Sequence, residues 1–294
     1  DSHNWFNKTY GSGKGLSVQT TTDGGYIVSG DDVFSLEAFL LLKVDSSGKK
    51  EWQKRFDGGK YGAREVQQTS DGGFIMIGQT DNIENAWLIK TDSNGNKEWD
   101  KTFSSLYGAK GRSVQETADG GYILTGGTQT NLQTSLDLLL IKTDSQGDQE
   151  WKKTFSGAGN NYDQGFSVKQ TSDGGFIIGG NTEISGEFFW LVKTDINGKE
   201  EWNKYVGDGE YYLVRQTKDG GYIITGATRS VNGNLRLIKT DQNGNMEWEK
   251  QFGKEKNNIG YSVQQTIDEG FIITGSTGAR VWLIKTDSQG NTIP

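Results

Sequence analysis

One phrase returns six times along this chain with small changes: Asp-Gly-Gly-Tyr-Ile-Ile-Thr-Gly, a variable segment, then Trp-Leu-Ile-Lys-Thr-Asp-x-x-Gly-Asn-x-x-Trp. The Asp of its first turn stands at Asp23, Asp71, Asp119, Asp173, Asp219 and Asp268, and the Lys ahead of its second turn at Lys43, Lys90, Lys142, Lys193, Lys239 and Lys285. Asp23 and Asp268 are 245 residues apart over five intervals, a mean period of 49. Periods of about 40–50 residues belong to four-stranded propeller blades. A chain so repetitive must bury each copy against its neighbours, because one copy alone cannot cover its own apolar surface.

Each copy reads as four strands. The first alternates, as in Ser262-Val263-Gln264-Gln265-Thr266; the second and third are apolar and β-branched, as in Tyr222-Ile223-Ile224-Thr225 and Trp282-Leu283-Ile284-Lys285; the fourth carries one Trp, as in Glu150-Trp151-Lys152. These patterns favour strand over helix, and the continuous apolar runs fit strands covered on both faces. Asp-Gly-Gly joins the first strand to the second, with Gly supplying positive φ in a tight hairpin. The sixth copy reads Asp268-Glu269-Gly270, which predicts a different turn there. Asp-x-x-Gly joins the third strand to the fourth, as in Asp92-Ser93-Asn94-Gly95.

A fourth-strand Trp follows the second-turn Asp by seven residues in five copies (Trp52, Trp99, Trp151, Trp202, Trp248), whereas the sixth copy reaches Pro294 at that spacing. The segment Asn4–Tyr10 resembles the missing strand. The expected fold is therefore all-β: a six-bladed β-propeller with four antiparallel strands per blade, the N-terminal strand with Trp5 completing the last blade, and residues 1–294 as one domain. Such closure removes exposed sheet edges. Deleting residues 1–10 is expected to lower stability by about 3–5 kcal/mol, as for a lost buried aromatic.

Composition excludes several function classes. There is no cysteine and one histidine, His3, so thiol chemistry, multi-histidine zinc sites and Ser-His-Asp catalysis find no residues. A net charge of -7 argues against nucleic acid or an anionic membrane as partner. No apolar run reaches the roughly 18 residues of a membrane span. The absence of a starting Met and a leader reads as a mature or trimmed product, and a monomer is expected.

The repeats resemble those of quinoprotein-type propellers, and more closely the tandem Asp-Gly-Gly-Tyr-Ile-Ile-Thr-Gly repeats of large secreted and cell-surface proteins of bacteria and archaea. The resemblance covers the whole chain. It implies a propeller and an extracellular or cell-surface location. Quinoprotein dehydrogenases of this kind usually have eight blades and a dedicated cofactor site. With six copies and no residue matching such a site, no cofactor is expected here.

Comparing the copies with one another shows where individuality lies. The spacing from first-strand Val to first-turn Asp is five residues in every copy, while the segments from the second strand to the third and from the fourth to the next first strand vary in length. Irregular loops on a rigid scaffold are the usual place for recognition. The expected ligand-binding residues are Phe34, Tyr107, Asn160, Asn161, Tyr162, Tyr211 and Tyr212, and the expected function is non-catalytic binding of a protein or glycan. The alternatives are a carboxylate-dependent glycosidase or lyase, for which Asp31, Asp32, Glu84, Asp163, Asp208 and Glu210 supply acids, and a purely architectural spacer.

Other signals read as structural. The Asp-x-x-Gly turns lack the oxygen donors of a calcium loop, so no metal is expected. The fourth-strand Trp residues, with Trp87, Trp190 and Trp282, read as core. First-strand Gln67, Gln115 and Gln264, with Thr69, Thr117 and Thr266, are expected along a hydrated central channel, where Lys169 and Arg215 replace Gln. Gly11–Gly15 resembles a phosphate loop but precedes a strand. Asn7-Lys8-Thr9 has the form of a glycosylation sequon on the closing strand.

Overall fold

The computed structural model describes residues 8–292 apart from 12, 33–34, 81–84, 106, 130–135, 158–161, 184–186, 229–232, 254–257 and 279, with backbone alone at 35–37, 187 and 210–212. Every described element is a strand. The first three blades are β1 (Lys14–Thr20), β2 (Tyr26–Asp32), β3 (Ser35–Val44) and β4 (Lys50–Asp57); β5 (Gly59–Gln68), β6 (Phe74–Thr80), β7 (Ala86–Thr91) and β8 (Lys97–Phe103); and β9 (Ala109–Glu116), β10 (Tyr122–Thr128), β11 (Asp137–Thr143) and β12 (Gln149–Phe155). The next two are β13 (Gln164–Gln170), β14 (Phe176–Glu183), β15 (Glu187–Thr194) and β16 (Glu200–Asp208), then β17 (Glu210–Gln216), β18 (Tyr222–Ala227), β19 (Leu235–Thr240) and β20 (Met246–Phe252). The last is β21 (Asn258–Gln265), β22 (Phe271–Thr277) and β23 (Arg280–Thr286). Each sheet is a simple antiparallel meander, and together they are a six-bladed β-propeller.

The sixth sheet has three strands among the described residues. The strand expected to complete it falls mostly on residues 1–7, which lie outside the described residues, as does the sequon Asn7. Lys8 and Tyr10 are described: the Lys8 amine donates to the Ser47 carbonyl at 2.9 Å and the Tyr10 hydroxyl to the Gly48 carbonyl at 2.5 Å. Fourth-strand lysines reach the next second turn in the same way, Lys54 to Asn96 and Lys101 to Asp148.

The chain divides into two compact units, residues 1–133 with 139–152 and residues 134–138 with 153–294. In each unit the core lies between adjacent blades. In the first, Ile75, Ile77, Ala86 and Leu88 of one sheet meet Ala109, Val114, Tyr122 and Leu124 of the next. In the second, Ile177, Phe189 and Leu191 meet Val214, Tyr222 and Ile224. The middle strands are therefore covered on both faces, which is why they are continuously apolar rather than alternating. Each such buried side chain contributes about 1.5–3 kcal/mol by leaving water. The fourth-strand tryptophans complete these contacts edge-on, Trp52 against Phe74 with ring centroids at 5.7 Å and Trp202 against Tyr222 at 5.8 Å. Trp87 and Trp190 are buried, so these residues are core, as their spacing implies.

Candidate functional site

The two hairpin turns of a blade share one end, and there the first five copies are chemically uniform. Lys90, 3% exposed at its side chain, donates to Asp71 at 2.8 Å, to Glu98 at 2.9 Å and to the Thr91 carbonyl at 3.0 Å. All three ammonium donors are thereby used. Lys43, Lys142, Lys193 and Lys239 repeat the arrangement with their own turn Asp and fourth-strand Glu. The turn Asp also accepts from the Gly73 backbone N–H and the Thr69 hydroxyl. The same holds for Thr117, so the threonines assigned to a hydrated lining belong to this turn instead. Burial works to raise the Asp71 pKa, but the bonds from Lys90, Thr69 and Gly73 outweigh it and hold the group at about 2. A Cβ on Gly73 would lie 2.2 Å from the Thr91 carbonyl oxygen and 2.6 Å from the Lys90 amine, so the second Gly of the turn exists to let the lysine in.

The sixth first turn is not a different type. Glu269 takes φ +64° where the other copies place Gly, and its N–H donates to Thr266 as Gly72 donates to Thr69. Hydrogen bonding within the hairpin sets the turn, and Glu269 accommodates it at a steric cost. In the second turns the Asp carboxylate is occupied by backbone: Asp92 accepts from the N–H groups of Asn94 and Asn96.

The opposite end, where the connections lie, differs from blade to blade. Its organising feature is a slip in the pairing of first and second strands, found in all six sheets at the same level. One extra residue bulges from the first strand at Leu16, Arg112, Phe166, Tyr212 and Tyr261. In the second blade the slip is longer, setting Tyr61, Gly62, Ala63 and Arg64 opposite Gly78, with positive φ at Tyr61 and Gly62. A bulge re-aims its side chain away from the ladder, and such bulges collect at functional sites. Sequence reading missed this set. Its signal was the recurring Gly-x-Ser-Val of Gly15–Val18, Gly111–Val114, Gly165–Val168 and Gly260–Val263, where only x varies.

Of the residues expected to bind ligand, Tyr107 is half-buried in the turn before β9 and Tyr162 is exposed before β13. Tyr211 and Tyr212 open β17, and only their backbone is described; Phe34, Asn160 and Asn161 lie outside the described residues. Exposed Tyr61 and Tyr261 lie at the connection ends of their own blades. First-strand Gln19 and Gln67 are used structurally, their side-chain carbonyls accepting from the N–H groups of Gln68 and Glu116 on the neighbouring first strand.

Three of the described acids of the variable loops are engaged in structural bonds. Asp31 is buried and accepts from the Lys14 N–H, Asp32 pairs with Arg55, and Asp208 pairs with Arg236. Asp163 is 1% exposed, and burial pushes its pKa up despite the bond from the Gly157 N–H. Glu84 and the Glu210 side chain lie outside the described residues.

The fold and this end define a repeat-built β-propeller with one uniform and one individual end. No family model matches the sequence, and no curated protein does. Solved structures do match. A protein of unknown function from Bacteroides caccae superposes with a TM-score of 0.59 at 10% identity, over 91% of this chain and 91% of its own. Another of unknown function, from Dyadobacter fermentans, gives 0.62 at 10% identity over 95% and 92%. A quinohemoprotein alcohol dehydrogenase from Pseudomonas putida gives 0.52 at 10% identity over 89% and 55%. At such identities the likeness is one of fold alone, and the quinoprotein-like resemblance of the repeats holds at that level.

Proposed function

We propose that this protein is a non-catalytic interaction module of the secreted or cell-surface kind, binding a protein or glycan at the connection end of its blades. The carrying observation is the first-strand bulge. It recurs at one level in all six sheets, yet the residue at the bulge is Leu, Arg, Arg, Phe, Tyr and Tyr in turn. A recurring backbone device bearing different side chains suits recognition better than folding, whose requirements are met by the same Lys–Asp–Glu group in five of the copies at the other end. Exposed tyrosines around it offer rigid, amphipathic contact area of the sort interfaces favour. The engagement of Asp31, Asp32 and Asp208 in structural bonds speaks against a carboxylate pair for hydrolysis.

The test is a glycan array and a panel of surface proteins probed with the wild type and with Tyr61→Ala, Tyr162→Ala and Tyr261→Ala. Loss of signal with an unchanged Tm supports the reading. Signals indifferent to all three substitutions, or none from any probe, reject it.

A further inference from the structure

The bulged first-strand segments of the first unit carry a local charge opposite to that of the whole chain. Its three first strands run side by side, β1 beside β5 and β5 beside β9, joined by side-chain bonds at one level: Gln19 to Gln68, and Glu65 and Gln67 to Val114 and Glu116. Over their bulged halves these strands bear Lys14, Lys60, Arg64, Lys110 and Arg112, with Glu65 the acid among them. The net charge is -7, so five cations within three short neighbouring segments is a concentration, while the acids gather at the hairpin turns.

Arg64 and Arg112 occupy the same position of adjacent first strands, each two residues before the buried Val66 or Val114 and each at the bulge. Arg64 is half-buried, and its Nε is shielded from water without a hydrogen-bond partner among the described residues. Burial lowers its pKa, and the charge of Asp31 offsets this only in part. Asp31 is itself buried and turned to the Lys14 N–H at 2.8 Å. A guanidinium held partly out of water with donors unused is costly unless an acceptor arrives. Oxyanions that present two oxygens on one centre match its fork in a way water does not. Beside it stands Tyr61, 43% exposed, with the Lys60 amine 5.1 Å from its ring centroid. An exposed aromatic face next to cationic forks is the equipment for a sugar ring carrying an acidic group.

We infer that the bulged ends of β5 and β9 form an oxyanion site for an acidic glycan, with Arg64 and Arg112 on its carboxylate or sulfate and Tyr61 against a sugar face. This rests on the interaction-module reading and narrows its ligand class. Uronate carboxylates and sulfate esters present the same chemistry, and the experiment separates them.

The purified protein is titrated calorimetrically with oligogalacturonate, with a sulfated dextran oligosaccharide and with a neutral dextran oligosaccharide, at low and raised ionic strength. Binding of an acidic oligosaccharide that weakens with salt, and falls by about tenfold or more in Arg64→Ala and in Arg112→Ala, is the expected result; such a loss matches about 1.4 kcal/mol per tenfold. Arg64→Lys, which keeps charge without the fork, falls between. Circular dichroism and Tm guard against unfolding, and Tyr61→Phe retains the ring should the alanine variants misfold. Acidic-glycan binding indifferent to both arginines overturns this site and leaves the module reading standing. So does binding of only neutral glycans or an acidic protein at the tyrosines. No binding of any kind overturns both.

Discussion

Lys90 and Asp71, nineteen residues apart in sequence, meet at 2.8 Å where the first and second turns of a blade converge, and Glu98 closes the group from the fourth strand at 2.9 Å. The lysine is buried while both acids keep about half their surface in water. This fixes three of the four strands of a blade to one another at one point. Lys90→Met, which keeps the stem and leaves two acids facing each other, should cost about 1–3 kcal/mol in urea unfolding. Lys285→Met, in a blade where the lysine side chain is 35% exposed and its amine bonds Asp268 and Thr266, should cost under about 1 kcal/mol. Equal losses would show that burial does not set the value of the triad.

These turns also set the response to acid. Asp71 and Asp119 are held at about 2, where burial alone would raise them, by bonds from lysine, threonine and glycine; Asp268 is held at about 2 chiefly by Lys285. A carboxyl depressed in the folded state contributes stability in full above its unfolded value of about 4, and that contribution drains away as pH falls through the folded value. Urea midpoints should therefore hold down to about pH 4 and drop steeply toward pH 2. Asp71→Asn should be less stable than the wild type at neutral pH and approach it below pH 2. A parallel offset across the whole range would contradict this.

Asp163 has the opposite sign. Burial raises its pKa, so the folded state holds a proton more tightly than the unfolded chain, and stability falls as pH rises from the unfolded value through the folded one. The sixth blade places Asn258 at the same position, beside Gly253 as Asp163 is beside Gly157. Asp163→Asn should raise the neutral-pH Tm, with an advantage that shrinks as the pH falls through the raised folded value and is gone below about 4. A Tm loss at neutral pH would mean that the charged form is held by the Gly157 N–H better than its burial suggests.

Glu269 sits at φ +64° in a turn whose five counterparts use Gly. Glu269→Gly removes that steric cost, offset in part by greater freedom of the unfolded chain, and should stabilise by about 0.5–1 kcal/mol in urea unfolding. The reverse change, Gly72→Glu, should destabilise by a similar amount. If both variants melt with the wild type, the left-handed conformation carries no penalty here.

Much of the fold was legible because its determinants are local. Asp71-Gly72-Gly73 announces its hairpin through the φ that glycine permits, and Phe74–Ile77 announces a strand covered on both faces through its unbroken apolar run. The regular return of Asp and Trp counted the blades. Less of the candidate site was legible. Loop length marks the tyrosines at 107 and 162 as recognition residues, whereas nothing in local spacing sets Arg64 and Arg112 apart. Only the register of Ser113 with Thr125 and Gly111 with Gly126 shows that Arg112 stands outside the ladder.

The sequence by itself determined the strands, their turns and their number, since these depend on residues within a few positions of one another. The tertiary structure decided which charges meet: Lys90 with Asp71 and Glu98, and Arg64 at the same level as Arg112 on the next strand. Those relationships arise from antiparallel pairing and the stacking of adjacent blades, which bring together groups separated by eight to about fifty residues, and no local pattern records a distance that only packing creates.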